Sequence, residues 1–417
     1  MIRRIQGFRC ARLMVALVAV VGLGLSGRGE ARERVQWVSA WGFSQQGLTA
    51  DTETVTNGTV RMIARPTVSG AFLRVRIDNT FGLAPLTIGA AYIALRNNGA
   101  QLVPGSSRQL TFGGSTSATI AAGDGISADP LPFAVRAWED VAVSLYVPGT
   151  SVRISRHSNA RTTSYVTAAN AGNAAANETA VPFTGTTTAM YWVSAIDVLS
   201  AASGTVVFFG DSITDGTGTT TDGHDRWHDV WFLRRLFSAK TKDQLAAVNE
   251  GIGGNRVNTR TGANSPVAVD RLDRDVLARS GVTHVVLFEG TNDLASGLAT
   301  SDSVMTGIRE IVARVKARGF KMIGVTIIPR HNATWTPLMT QYRNEINAWI
   351  RSRSSGLDAV IDFDKVMRDA SNPDLMNPIL DLGDHIHPNP YGYLLMGKAI
   401  DMSIFDDRDD DRDRDDD

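Results

Sequence analysis

A change of pattern near residue 200 divides this chain of 417 residues into two halves that obey different folding rules. From about 35 to 200, apolar and polar residues alternate in runs such as TVRMIA, AFLRVRIDN, LTIGAAYIAL, DVAVSLYV, SVRISRH and YWVSAIDVL, punctuated by Gly, Pro and Asn. Successive side chains of a strand point to opposite faces, so this alternation predicts strands with one buried face. Their number and spacing predict an all-β, jelly-roll-like antiparallel sandwich over residues 35–200. From 204 to 405, short apolar runs alternate with amphipathic helical patterns, which predicts an α/β domain. Strands are predicted at 205–209, 246–249, 284–288, 322–328 and 359–363. Val304, Ile308, Ile311, Val312 and Val315 mark one helix face, and Leu338, Tyr342, Ile346, Trp349 and Ile350 another. Five parallel strands with helices on both faces satisfy this order. No long Pro-rich linker separates the halves, which predicts that they pack closely.

The chemistry-bearing motifs lie in the second half. The run TVVFF ends in G-D-S-I-T-D-G (residues 210–216), which delivers Ser212 at the exit of a buried strand. In parallel sheets the carboxyl edge carries the site, and the following helix pattern offers N–H groups and a dipole that favour negative charge. The bland reading of such a serine is a helix cap in a Gly-rich turn. Far downstream, D-H-I-H-P (384–388) puts Asp384 three residues before His387, close enough for a turn to bring the carboxylate to the imidazole. The same segment also reads as a helix-entry turn, or His385 and His387 as half of a metal site, which would need further ligands. G-I-G-G-N-R (251–256) and E-G-T-N-D (289–293) follow the second and third strands. Glycines let a backbone N–H approach a ligand, although either block alone is only a turn signal. Three strand exits and the D-x-x-H loop converging on one edge supply what metal-free ester hydrolysis requires: nucleophile, base, orienting group and oxyanion donors.

Composition bounds the partners and the compartment. The chain is 43% hydrophobic and 20% charged, with a formal net charge of -1. No stripe of Lys and Arg interleaved with aromatics stands out, which argues against nucleic-acid binding. Residues 406–417, DDRDDDRDRDDD, set nine Asp against three Arg and predict a solvated, disordered tail. At the amino end, Arg3, Arg4, Arg9 and Arg12 precede an apolar stretch at 13–25 and small residues leading to Ala31. This is the layout of a secretory signal peptide over 1–31, shorter than the roughly 20 apolar residues of a membrane span. The expectation is secretion to the periplasm or medium with no stable membrane anchor. The single cysteine, Cys10, would leave with the leader, so stability would rest on core burial without disulfides.

The four ordered blocks resemble the SGNH hydrolases, also called GDSL esterases and lipases, which share a flavodoxin-like three-layer α/β/α domain. The matches are Ser212 in G-D-S, Gly254 in G-I-G-G-N, Asn292 in G-T-N-D, and Asp384 with His387 in D-x-x-H-P. The resemblance implies Ser212 as nucleophile, His387 as base and then acid, and Asp384 as its orienting group. It implies an oxyanion hole from the Ser212 and Gly254 N–H groups and the Asn292 amide, with no metal and no cofactor. Gly253 stands where many relatives have serine before the key glycine. LRVRIDNTFG and PLTIGAAYIAL also look like the β domain of a two-domain subgroup of secreted bacterial members.

Other residues carry a structural reading beside the functional one. Trp227, Arg256 and His331 are candidate linings of the substrate pocket, against core packing, an internal ion pair and a surface position. H-D-R-W-H-D (224–229) looks metal-like but precedes a helix pattern, so helix entry and pocket lining are expected. Asp211, Asp215 and Asp293 are expected to fix loops through backbone hydrogen bonds, and His157 and His284 to be structural. The functional expectation is a secreted serine esterase acting on short-acyl esters, an O-acetylated carbohydrate or a small ester. The alternatives are a lipase or phospholipase-type acyl hydrolase, or an inactive carbohydrate-binding surface protein. Oligomeric state is left open.

Overall fold

The computed structural model describes residues 35–47, 53–238 and 244–406. The predicted leader, and the predicted tail beyond its first residue, lie outside the described residues. No helix among the described residues is long and apolar enough to cross a membrane.

The first half is a sandwich of two antiparallel sheets. One contains Gln36–Gly42, Gly70–Asp78 and Val193–Ser200; the other is centred on Val141–Val147 between Gly58–Ala64 and Ala90–Asn98. Inward residues such as Val38, Val60, Leu73, Val75, Ile93 and Val143 form one continuous core, as the period-two pattern requires.

The second half carries five parallel strands, Gly204–Gly210, Leu245–Gly251, Val282–Phe288, Lys321–Val325 and Ala359–Ile361. Their spatial order, counted along the chain, is 2-1-3-4-5, the flavodoxin-like order. Separate apolar cores cover the two faces of the sheet, completing an α/β/α sandwich. The predicted face of the helix Ser301–Lys316 is buried throughout. The helix Pro337–Ile350 differs: Leu338 is 53% exposed, and polar Arg343 and Asn347 join Ile346 and Ile350 inside. Asn347 belongs there because its amide accepts from Ile327 N and donates to Ile327 O, each at 2.8 Å, satisfying the backbone where the fourth strand has ended at Val325.

The second strand, Leu245–Gly251, is a sheet edge yet wholly buried, because the sandwich covers it. Thr67 Oγ1 accepts from Ala247 N at 2.9 Å and lies 2.7 Å from its own acceptor, Ala40 O. Phe43 bridges Asn249 in parallel register, and Ala246 packs into the sandwich core. Unpaired strand edges are liabilities; here the first half protects one.

Candidate active site

The strand Gly204–Gly210 is buried along its length and ends in a one-turn helix, Ser212–Asp215. Asp211 caps it, its Oδ1 accepting from Ile213 N at 2.9 Å, and Gly216 at φ +108° closes it. Gly210 has no room for a side chain: a Cβ there would sit 2.7 Å from Phe288 O. Ser212 begins this helix, so its N–H has no partner one turn back. Its Oγ lies 2.9 Å from His387 Nε2.

The D-x-x-H loop folds around its own aspartate. Asp384 Oδ1 accepts from Ile386 N and His387 N, both at 2.9 Å, while Oδ2 accepts from His387 Nδ1 at 2.6 Å. With Nδ1 donating to a carboxylate, the Nε2 lone pair faces the serine hydroxyl, the tautomer a general base needs. Burial tends to raise the Asp384 pKa, but the bonds from the His387 side chain and backbone and from Ile386 outweigh it and hold the group below the usual carboxylate range.

Gly254 adopts φ +73°, faces solvent, and has open space where a Cβ would stand. A glycine is required there by backbone conformation, not by crowding. The Asn292 amide donates to Asn255 O at 3.0 Å, and its oxygen lies 3.4 Å from Arg330 Nη1. Asp293 accepts from Val257, Asn258 and Thr259 N at 2.7–3.2 Å, locking the loop that follows Gly254. Burial drives the Asp211 pKa up to about 7, opposed by the Ile213 N–H and the Arg330 charge and reinforced by Asp293 and Asp215. Arg330 had no sequence signal beyond its position after the fourth strand.

Beneath the nucleophile helix the two halves meet in buried polar contacts. Asp215 does not cap a loop as expected. Its carboxylate bonds His157 Nε2 at 2.9 Å, and the other ring nitrogen bonds Ser44 O at 2.9 Å. A backbone carbonyl and a carboxylate are both acceptors, a setting that favours the doubly protonated imidazole of His157. Burial tends to lower its pKa, but the Asp215 charge and hydrogen bond and the Ser44 carbonyl raise it above the usual value. Buried Arg271 donates to Gly210 O, Glu250 O, Asn255 Oδ1 and Ser44 Oγ at 2.8–3.0 Å. One side chain thus joins two strand exits, the Gly254 loop and the sandwich, using the guanidinium fork.

Two of the three predicted pocket residues, Trp227 and Arg256, have other surroundings. Trp227 is fully buried, edge-on to Phe208 and Phe363 on one face of the sheet, so it is core and not a pocket wall; its helix turns it inward. Arg256 closes its own loop on Thr261 O at 2.8 Å and makes no ion pair among the described residues. His331 stacks on His385, ring centroids 4.4 Å apart, beside the D-x-x-H loop. In the 224–229 segment, Asp229 accepts from Arg226 N at 3.1 Å at the helix entry. His228, pushed down to about 4 by burial, bonds Thr214 O.

A serine hydroxyl, an imidazole and a carboxylate in hydrogen-bonded sequence form the relay of a serine ester hydrolase. A family model agrees. Residues 208–395 match the model of the GDSL-like Lipase/Acylhydrolase family. Among solved structures, a GDSL-like lipase from Bacteroides thetaiotaomicron VPI-5482 is 22% identical, with a TM-score of 0.36, over 48% of this chain and 88% of its own. A member of the lipolytic protein G-D-S-L family from Veillonella parvula DSM 2008 is 20% identical, with a TM-score of 0.36, over 46% of this chain and 94% of its own. A variant of an acetyl xylan esterase from Geobacillus stearothermophilus is 20% identical, with a TM-score of 0.37, over 48% and 93%. No curated protein matches the chain.

Proposed function

Through residues 208–395 this chain belongs to the GDSL-like lipase/acylhydrolase family, and from that premise we propose that Ser212, His387 and Asp384 cleave short-acyl carboxylic esters through an acyl-enzyme. The observation that carries this reading is the continuous chain of bonds from Ser212 Oγ to His387 Nε2 at 2.9 Å and from His387 Nδ1 to Asp384 at 2.6 Å.

His387 Nε2 takes the proton as Ser212 Oγ attacks the acyl carbon, and Asp384 stabilises the imidazolium that forms. The oxygen of the tetrahedral intermediate meets the N–H groups of Ser212 and Gly254 and the Asn292 amide, which turns one N–H from its present acceptor. His387 then gives its proton to the departing alcohol. Water, deprotonated by the same imidazole, releases the acid and restores Ser212.

A hydrophilic alcohol suits the surroundings, since Asn292, Arg330, His331, Asn332 and His385 are all polar and Gly253, Gly254 and Asp384 are exposed. An acylated glycan or a small ester has that character, and secretion through the predicted leader would bring the enzyme to it. A second reading, a longer acyl chain, is favoured by Ile379 and Leu382, which are 70% and 43% exposed on the segment carrying Asp384.

Hydrolysis of p-nitrophenyl esters from acetate to palmitate, by wild type and Ser212→Ala side by side, separates the two. A maximum at acetate that vanishes in the variant supports the first reading, and a maximum at long chains supports the second. Equal turnover by the variant removes both. Glycan binding by a folded protein silent toward every ester would instead indicate a binding module.

A further inference from the structure

We propose that His331, Asp381 and His385 form a binding site for one zinc-class divalent transition ion, separate from the catalytic relay. Their ligand-capable atoms lie within 4.8 Å of one another, on two loops distant in sequence. Donors about 2.1 Å from one tetrahedral ion lie roughly 3.4 Å apart, so side-chain rotations that move the donor atoms by about an ångström close the set.

The surrounding bonds hold these donors together. His331 N donates to His385 O at 3.1 Å, which ties the loop after the fourth strand to the D-x-x-H loop. Asp381 Oδ1 is fixed by Gly383 N at 2.8 Å and His385 N at 3.1 Å, leaving Oδ2 on the His385 Nδ1 proton at 2.6 Å. Backbone donors that orient a ligating carboxylate are what a metal site's outer shell supplies. His385 itself sits at φ +60°, a left-handed conformation that L-residues adopt at a cost. That conformation holds its ring against His331, centroids 4.4 Å apart. Its side chain is about half exposed, leaving a path from solvent.

Two imidazoles and one carboxylate select borderline ions over calcium or magnesium, which take oxygen-rich sets. Binding replaces the proton shared by His385 Nδ1 and Asp381 Oδ2, which leaves to solvent as the nitrogen lone pair turns to the cation. Two of the ligands bracket Asp384, with Asp381 before it and His385 between it and His387. The ion would therefore brace the loop that carries the general base while taking no part in the reaction. His385 was weighed in the sequence with His387 as a half-site; the three-dimensional partners are His331 and Asp381 instead.

The test is isothermal titration of chelator-stripped, untagged protein with Zn²⁺, with Co²⁺ absorbance as a second readout and Ca²⁺ as a control. Wild type should bind a single Zn²⁺ and give no heat with Ca²⁺. His331→Ala and His385→Asn should each weaken Zn²⁺ binding by about tenfold or more, and His387→Ala should not. Asn tolerates positive φ, so His385→Asn keeps the loop; circular dichroism of each variant checks the fold. Wild type that binds no Zn²⁺, affinity unchanged in both ligand variants, or binding lost only in His387→Ala would overturn the assignment.

Discussion

His157 Nε2 lies 2.9 Å from Asp215 Oδ1, and this bond joins the antiparallel half of the molecule to the helix that opens with Ser212. Both side chains are buried, and the second imidazole nitrogen is held by Ser44 O, so the pair is fixed at both ends. The sandwich therefore helps set the position of the nucleophile helix although none of its residues belongs to the relay.

Replacing His157 by Gln leaves the Asp215 carboxylate buried without its cation. Breaking a buried pair from one side costs about 3–5 kcal/mol, so the denaturation midpoint should fall accordingly. The imidazole pKa is raised in the folded state, so its stabilisation is full below the unfolded value of about 6.5 and is lost as pH rises through the folded value. The gap between wild type and variant should narrow on the alkaline side. Urea unfolding of both proteins across pH checks the sign.

Asp211 supplies a second pH dependence in a different window. Its folded pKa of about 7 lies above the ordinary carboxylate value. The folded state keeps a proton that the unfolded chain releases, and stability falls as pH rises from about 4 through about 7. Asp211→Asn keeps an oxygen to cap Ile213 N and has no proton to lose. Its stability curve should be flatter over that interval when measured by the same unfolding series.

The proposed oxyanion donors separate activity from stability. Asn292→Ala should lower kcat by roughly a hundred- to thousand-fold with little change in KM. Gly254→Ala meets no neighbour, and its cost is backbone strain at φ +73° of about 1–2 kcal/mol. It should remain folded by circular dichroism while kcat falls, because relaxing φ moves the N–H proposed to meet the oxyanion. Steady-state kinetics with a p-nitrophenyl ester reads both.

What the sequence makes legible follows how local each signal is. Asp384 and His387 are three residues apart, and Ser212 directly follows an apolar run, so both halves of the relay can be read from short windows. The buried face of Ser301–Lys316 is legible because only apolar residues occupy it. The Pro337–Ile350 face is legible in Tyr342, Ile346, Trp349 and Ile350, which pack on the core, and incomplete because Arg343 and Asn347 are buried for hydrogen bonds that hydropathy does not register. Trp227 could not be assigned to core or cleft from its chemistry, since an indole serves either. His157 meets Asp215 across 58 residues and between two different folds, a contact that no periodicity encodes. The clustering of His331 with His385 likewise depends on how two loops fold over one sheet edge.

A serine mechanism requires Ser212 to carry the acyl group between the two half-reactions. The most direct measurement is mass spectrometry of peptides from enzyme acid-quenched during p-nitrophenyl acetate turnover. One acetyl group on the peptide at Ser212, absent in Ser212→Ala and accumulating in His387→Ala only at a greatly reduced rate, is the predicted result. Turnover that proceeds with Ser212 unmodified throughout, or with the acetyl group on another residue, would contradict the account.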